Sequence, residues 1–297
     1  MSSADKQSTP MQLNYDALMN WPFEPLTASY DKDDCIAYAL GIAAGDGPAI
    51  TAEEQQYISD NEQLKALPMM AIVLNEGTMW TMDPATGIDW RKTLHAEESI
   101  TIHKPIASAA TLTANYHVEE IYDRGPGKGA FMYEQRVLSE ADNSPVATIR
   151  IGTFLMGNGG FGGAATHTPA PIKVPADRAP DQSLDLATPS SDNTRYHLGE
   201  QFVGALKNVP GAEGKPPLRG VCAFGVAGRA LLHLACADQA QRLKHMGLRY
   251  KAPIFADETL RTELWYDDTP GKAYFRVICV ERDTIVMDNG VLEFEPD

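Results

Sequence analysis

Six stretches of the chain alternate apolar and polar residues with the period of a half-buried strand. Three lie in the first half, at 111–118, 130–137 and 146–154, and three in the second, at 259–266, 273–280 and 284–294. Pro126-Gly127-Lys128 and Pro270-Gly271-Lys272 stand between members of each set, and a glycine there supplies the positive φ of a tight reversal. Cys222 to Ala237 has a different pattern: it is apolar almost throughout and predicts a buried helix. Its small residues Gly225, Ala227, Gly228 and Ala230 would let a sheet approach closely. Short helices opened by acidic residues are expected after Ser29 to Asp34 and after Ser190-Ser191-Asp192. Residues 47–66, with Ala52-Glu-Glu-Gln-Gln-Tyr57, have a helical, acidic look and read as an insertion in the first half.

The two sets are copies. Asp34, Tyr38, Leu40 and Gly41 recur at one offset as Asp192, Tyr196, Leu198 and Gly199. Pro105-Ile106 with Thr111-Leu112 returns as Pro253-Ile254 with Thr259-Leu260, and the Pro-Gly-Lys triplets follow in the same order. An ordered internal repeat predicts two like units. Each unit, a helix followed by hairpin-linked antiparallel strands, is of the α+β class. Gly157 to Gly163 and the Pro-rich run through Pro180 have the composition of a linker. The expected organisation is a flexible tail over 1–14, a first unit over 15–157, a linker over 158–182 and a second unit over 183–297.

Composition narrows the function classes. A net charge of −15 over 297 residues argues against nucleic-acid binding and against anionic membranes. A local Lys or Arg cluster can still bind an anionic small ligand. Cys35, Cys222, Cys236 and Cys279 have no metal-like spacing and read as buried thiols of a reducing compartment. His95 and His103 belong to no ligand cluster, so no metal is expected. The polar start, MSSADKQSTPMQ, has no secretory h-region, and Val221 to Ala237, broken by Arg229 and His233, is too short and polar to span a bilayer. A soluble cytoplasmic protein is the expectation.

The order of several motifs resembles the type-2, (R)-specific 2-enoyl-CoA hydratases. These are MaoC-like dehydratases and include the hydratase part of the peroxisomal multifunctional enzyme. The motifs are Asp34-x3-Tyr38-Ala-Leu-Gly41, Leu94-His95-Ala-Glu97, His103-Lys-Pro-Ile106, Gly157 to Gly163, Arg178-Ala-Pro-Asp181 and Leu218-Arg219-Gly220-Val-Cys222-Ala-Phe-Gly225, and the likeness runs from about Tyr15 to the end. It implies a double hotdog, a long central helix in each unit wrapped by antiparallel sheet, commonly dimeric. The first unit would accommodate the acyl tail and the second would carry the catalytic groups. It also implies a reaction, reversible addition of water to a trans-2-enoyl-CoA, with coenzyme A part of the substrate and no separate cofactor. Partners would be a second copy of the chain or a related hydratase. By this resemblance the Gly220 N–H, opening the Cys222 helix, is the oxyanion donor, as charge developing on the thioester oxygen requires.

A carboxylate and an imidazole must also hold the water and move protons. In the family they come from a segment like Tyr-x-Leu-Ser-Gly-Asp-x-Asn-Pro-Leu-His. Here Tyr196-His197-Leu198 is followed by Gly199-Glu-Gln-Phe-Val-Gly-Ala-Leu-Lys-Asn-Val-Pro-Gly211, without that pair, and Arg219 stands where the family has His. One reading slides the match and pairs Asp192 with His197. If helical, that five-residue step turns the two side chains about 140° apart. Another uses Glu200 as the carboxylate. The third makes Asp192 a helix cap, His197 and Glu200 ordinary helix residues, and the protein an inactive acyl-CoA-binding subunit. Tyr196, Arg219, Glu97 and Lys251 are candidate substrate contacts. Glu97-Glu98 also fits a solvated surface pair, and Lys244, Arg249 and Lys251 fit either coenzyme phosphates or plain solvated charges. A hotdog thioesterase is a further alternative. Gly157 to Gly163 lacks the strand–GxxxxGK[ST]–helix context of a phosphate loop.

Overall fold

The computed structural model describes residues 13–46, 54–163, 168–175, 177–199, 206 and 209–296. Among them, ten strands form one antiparallel sheet. In chain order they are β1 (Leu26–Tyr30), β2 (Thr93–Ile102), β3 (Ala110–Asp123), β4 (Ala130–Ser139), β5 (Pro145–Leu155), β6 (Gln182–Ala187), β7 (Leu243–Tyr250), β8 (Thr259–Tyr266), β9 (Lys272–Cys279) and β10 (Thr284–Phe294). The spatial order is β1-β3-β4-β5-β2-β7-β10-β9-β8-β6. Read inward from either edge, the two halves have the same connectivity, the signature of a duplicated unit. The repeat predicted two like units, and the architecture is the double hotdog that the family resemblance implied. All six alternating stretches are strands, at almost the expected bounds.

The halves join where β2 pairs with β7, from Glu97 opposite Arg249 to Thr101 opposite His245. The Thr101 Oγ1 and His245 Nδ1 lie 2.9 Å apart across this seam. Gly247 leaves room there, because a Cβ on it would stand 3.0 Å from the Ser99 Cβ.

The halves differ inside the sheet. After α1 (Tyr15–Met19), α2 (Lys32–Gly41) and α3 (Gln55–Ile58), the second unit contains the long helix α4 (Gly220–Cys236), buried along most of its length. At Gly225 and Gly228 the helix admits the end of α2 and a buried turn of the first unit, in place of the sheet expected there. A Cβ on Gly225 would lie 2.8 Å from the Ile42 Cγ2, and one on Gly228 would overlap Met69. The first unit has no matching long helix among the described residues. A buried 3-10 turn, Pro68–Ile72, packs there against α4. The chain beyond it is broken by Asn75 at φ 50°, Pro84 and Gly87 at φ 67°. The Asn75 side chain donates to the carbonyls of Leu26 and Leu112, so that break is tied into the sheet.

The two short acidic-start helices also diverge. Asp31 caps α2 by accepting from the Asp33 and Asp34 N–H groups, and Asp34 reaches back to the Asp31 N–H at 3.1 Å. In the second copy only one 3-10 turn forms, Thr194–Tyr196, and its cap is Asn193, not Asp192. His197 is already extended and bridges Leu218, so the chain leaves the helical path there. Of the expected insertion, α3 is present, and the Tyr57 hydroxyl donates to the Asp238 carbonyl at 2.8 Å; residues 47–53 are outside the described part.

The glycine run has a structural task. The N–H groups of Gly160 and Gly162 each donate to Asp123 at 2.7 Å, and that of Gly125 at 2.8 Å. Gly160 and Gly162 take positive φ, which turns successive N–H groups toward one anion. The cradle is thus filled by the chain's own carboxylate. Burial pushes the Asp123 carboxyl up, but these donors outweigh it and hold it below the usual carboxylate range. Asp123→Ala is expected to cost about 2–3 kcal/mol at neutral pH, the scale of several charge-assisted bonds lost with their donors left orphaned. A depressed carboxyl contributes stability above its unfolded value of about 3.9 and loses it as pH falls through the lower folded value. Urea unfolding of both proteins at pH 7 and pH 3 should show the gap narrowing at pH 3. An unchanged gap would assign the loss to packing.

Candidate active site

α4 begins at Gly220, with Arg219 in the cap position but making no side-chain cap bond. Among the described residues nothing accepts from the Gly220 N–H. The first turn of a helix leaves such donors over, and its dipole adds positive potential there. This end of α4 opens on a cleft of about 530 Å³ lined by His95, Phe131, Phe154, Leu218, Tyr250 and Lys251, among others. Phe131 and Phe154 come from the first unit, and Leu218 to Gly220 and Tyr250 to Ile254 from the second, so the cleft lies across the seam. Leu206, an isolated described residue of the rewritten segment, also lines it.

Tyr250 ends β7 beside the helix start. A Cβ on Gly220 would come within 2.9 Å of the Tyr250 Cζ, so this helix must open on glycine. The Tyr250 hydroxyl donates to the Glu98 Oε2 at 2.8 Å. Glu98 is only 2% exposed. Burial raises its carboxyl above the usual carboxylate range, and His95 and Tyr250 offset part of that rise. The His95 Nε2 stands 3.6 Å from the same Oε2, and the rings of His95 and Tyr250 are 4.9 Å apart.

A strand irregularity makes this grouping possible. Along β2, Glu98, Ile100 and Ile102 alternate inward. Strict alternation would put His95 on the opposite face. A bulge intervenes, because His95 pairs with Thr153 and Glu97 with the adjacent Gly152, leaving Ala96 as the extra residue. The bulge carries His95 to the face of Glu98, a use of bulges common beside functional sites.

The sequence candidates are distributed differently from expectation. Gly220 and Lys251 both line the cleft, with Lys251 exposed. Arg124, on the same rim, lies 5.3 Å over the Phe154 ring. Tyr196 and Arg219 line a separate cavity of about 370 Å³ with Tyr38, Asn75 and Glu76, and Arg219 pairs with Glu76 at 2.7 Å. Glu97 is no free substrate contact. It takes the Arg249 guanidinium, with Nε at 2.7 Å, and the Tyr133 hydroxyl at 2.7 Å, locking the seam where β2 meets β7. That pairing also occupies Arg249, while Lys244 is bound to Glu295 and the Gln241 carbonyl. Asp192 is exposed in a turn, and its side chain bonds to no described residue. His197 is half-buried, with its Nε2 unpartnered. Neither lines the cleft, so the structure does not assemble that pair at Gly220. Glu200 is outside the described residues.

His95, Glu98 and Tyr250 are the site residues the sequence did not single out, His95 standing there only as a rejected metal ligand and Glu98 as a solvated surface charge. Glu98 was legible, since its parity with Ile100 and Ile102 places it inward. His103, by contrast, is exposed and bonds Thr148 at 2.9 Å. All four cysteines are buried and unpaired. Among the described residues no cluster of His, Cys, Asp or Glu is placed to hold a metal, and no helix is long and apolar enough to cross a membrane.

Residues 28–157 match the family described as the MFE-2 hydratase 2 N-terminal domain. The 3-hydroxyacyl-thioester dehydratase Y of Mycobacterium tuberculosis is 31% identical over 290 residues, covering 91% of this chain and 95% of its own. The peroxisomal enoyl-CoA hydratase 2 of Arabidopsis thaliana is 27% identical over 280 residues, covering 86% of this chain and 88% of its own. Among solved structures, the MaoC-like dehydratase of Phytophthora capsici superposes with a TM-score of 0.76 at 27% identity, over 95% of this chain and 99% of that one. With a duplicated sheet, a helix-start amide facing a shared cleft and near-full-length relatives, the chain belongs to the hydratase 2 family of MaoC-like dehydratases.

Proposed function

We propose that this protein hydrates trans-2-enoyl-CoA thioesters to (3R)-3-hydroxyacyl-CoA, and dehydrates them in reverse. The observation that carries the reading is the Gly220 N–H, bonded to no described residue, opening onto a largely apolar cleft. Such a donor meets the thioester oxygen where negative charge develops as water adds to the β-carbon. The apolar walls suit an acyl chain, and Lys251 and Arg124 at the rim suit the phosphates of coenzyme A. No separate cofactor is needed, because coenzyme A is part of the substrate. Four free thiols fit a reducing compartment such as the cytoplasm. A homodimer is the expected assembly.

The test is to mix the protein with trans-2-butenoyl-CoA and trans-2-decenoyl-CoA and follow loss of the conjugated-thioester absorbance. Turnover of either ester supports the reading. Release of free thiol instead would identify a thioesterase. A second reading, an acyl-CoA-binding subunit without activity, is favoured by the absence of the Asp-His pair from residues 196–211; tight binding with no turnover would select it. Lys251→Glu should weaken binding of either ester about tenfold, equivalent to about 1.4 kcal/mol, and most at low salt. Titration calorimetry at two salt concentrations reads this directly, and equal affinity at both would remove Lys251 from the phosphate site.

A further inference from the structure

We infer that His95 and Tyr250, coupled through Glu98, form the acid–base apparatus of this chain, replacing the pair that the family takes from the segment after Tyr196. The inference rests on the hydratase reading and deepens it. Three independent features of geometry support it. His95 and Tyr250 both line the cleft that contains Gly220. Glu98 lies behind them, within 2.8 Å of the Tyr250 hydroxyl and 3.6 Å of the His95 Nε2. The Ala96 bulge is what brings His95 to that face.

The Nε2 of His95 is turned toward Glu98, and no described residue partners its Nδ1. An imidazole with one nitrogen 3.6 Å from a buried carboxyl and the other open to the cleft is placed to act as a general base once that gap closes to hydrogen-bond length. The charged and titratable groups that bear on Glu98 are His95 on its own strand, Tyr250 of β7, Arg136 of β4 and Glu76 of the first-unit loop. Tyr38 of α2, buried and with an unpartnered hydroxyl, lies near the same carboxyl. Burial keeps Glu98 inclined to hold a proton, so it can exchange one with either neighbour.

His95 takes a proton from water as the water oxygen bonds to C3 of the enoyl thioester. The C2–C3 π pair shifts toward the carbonyl, whose oxygen accepts from the Gly220 N–H. As the carbonyl re-forms, the Tyr250 hydroxyl turns its proton from Glu98 to C2, and the protonated Glu98 carboxyl donates to the phenolate oxygen left behind. The imidazolium then returns its proton to the tyrosinate through the Glu98 carboxyl between them. The net change is addition of water; the imidazole, left protonated on Nδ1 instead of Nε2, regains its resting tautomer by proton exchange with solvent at its one-third-exposed edge.

His95→Asn and Glu98→Gln are the informative variants. Asn is smaller than His and its site is one-third exposed, so folding should survive. Gln keeps an acceptor for Tyr250 but cannot pass a proton. With trans-2-butenoyl-CoA, H95N should lose about 100-fold or more in kcat with KM changed by less than about threefold, in the range expected for loss of a general base. E98Q should lose about tenfold or more. The acid limb of the wild-type kcat–pH profile should vanish in H95N, which a merely structural role would not cause. Thermal melts and calorimetric binding of the saturated butanoyl-CoA confirm that each variant is folded and competent to bind. Activity within threefold of wild type in either variant overturns the relay. So does a wild-type protein that binds the ester without hydrating it, though thioester binding would then stand. A wild type that does not bind at all sinks the hydratase reading together with the relay.

Discussion

Arg282→Met should lower the unfolding free energy by about 3–5 kcal/mol, the usual cost of leaving a buried charge without its partner. The Arg282 Nε lies 2.6 Å from the Glu258 Oε1, and a second nitrogen bonds Oε2 at 2.9 Å and the Pro253 carbonyl at 2.8 Å. Side-chain exposure is 5% for the arginine and 0% for the glutamate, so water cannot replace the guanidinium. Glu258 has further duties. Its Oε2 accepts from the Phe255 N–H, and its own N–H donates to the Thr188 hydroxyl. Pro253 and Ile254 line the cleft, so this pair also braces one wall of the site. At about 2–4 °C per kcal/mol for a chain of this size, the melting temperature should fall by about 10 °C. The double variant Arg282→Met/Glu258→Leu should regain part of the loss, because it removes the stranded charge as well. Full recovery is not expected, since the Phe255 N–H stays unpaired. A double-mutant cycle measured by urea unfolding reads the coupling. A single variant within 1 kcal/mol of wild type would show that the pair does not hold this wall.

The fold was largely written in local pattern, and the site was not. Period-two alternation and turn triplets located β3, β4, β5, β8, β9 and β10, because a strand with one buried face must alternate. The apolar run with small residues located α4 for the same kind of reason. Unit equivalence was legible only as far as it is real. The repeat suggested a helix after Asp192, but the second copy keeps one turn, since His197 is drawn into a bridge with Leu218. No local signal reports that kind of tertiary override. The missing long helix of the first unit was visible in principle, as Pro84 and Gly87 interrupt it. Site residues were harder because they gather through register. Tyr250 meets Glu98 across a strand pair 152 residues apart, and His95 joins them by a bulge whose extra residue is an ordinary alanine. Glu97 and Glu98 are adjacent and chemically alike, yet one ties the seam and the other is buried behind the cleft. Only the parity of β2 separates them.

Arg229 poses the complementary case, a charge inside the most apolar helix of the chain. In sequence it served to exclude a membrane span. In the structure it joins the two units: its Nε and a terminal nitrogen hold both oxygens of Glu54, at 2.6 and 3.0 Å, and the other terminal nitrogen donates to the Ile42 carbonyl at 2.9 Å. Arginine and glutamate are 4% and 6% exposed. Three bonds in one plane require the guanidinium fork, which a lysine cannot imitate. Arg229→Met should therefore cost about 3–5 kcal/mol by stranding Glu54. Arg229→Lys keeps the charge but forfeits at least one of the three bonds, and should cost about 1–3 kcal/mol. The order wild type, Lys, Met in urea midpoint is the expected outcome. Equal stability of the Lys variant and wild type would mean that charge alone suffices, and the geometric account of the tie would fail. Backbone hydrogen exchange adds a local reading. If Arg229 anchors the first unit onto α4, amides of α3 and the end of α2 should exchange faster in the Met variant by more than the global loss of stability accounts for.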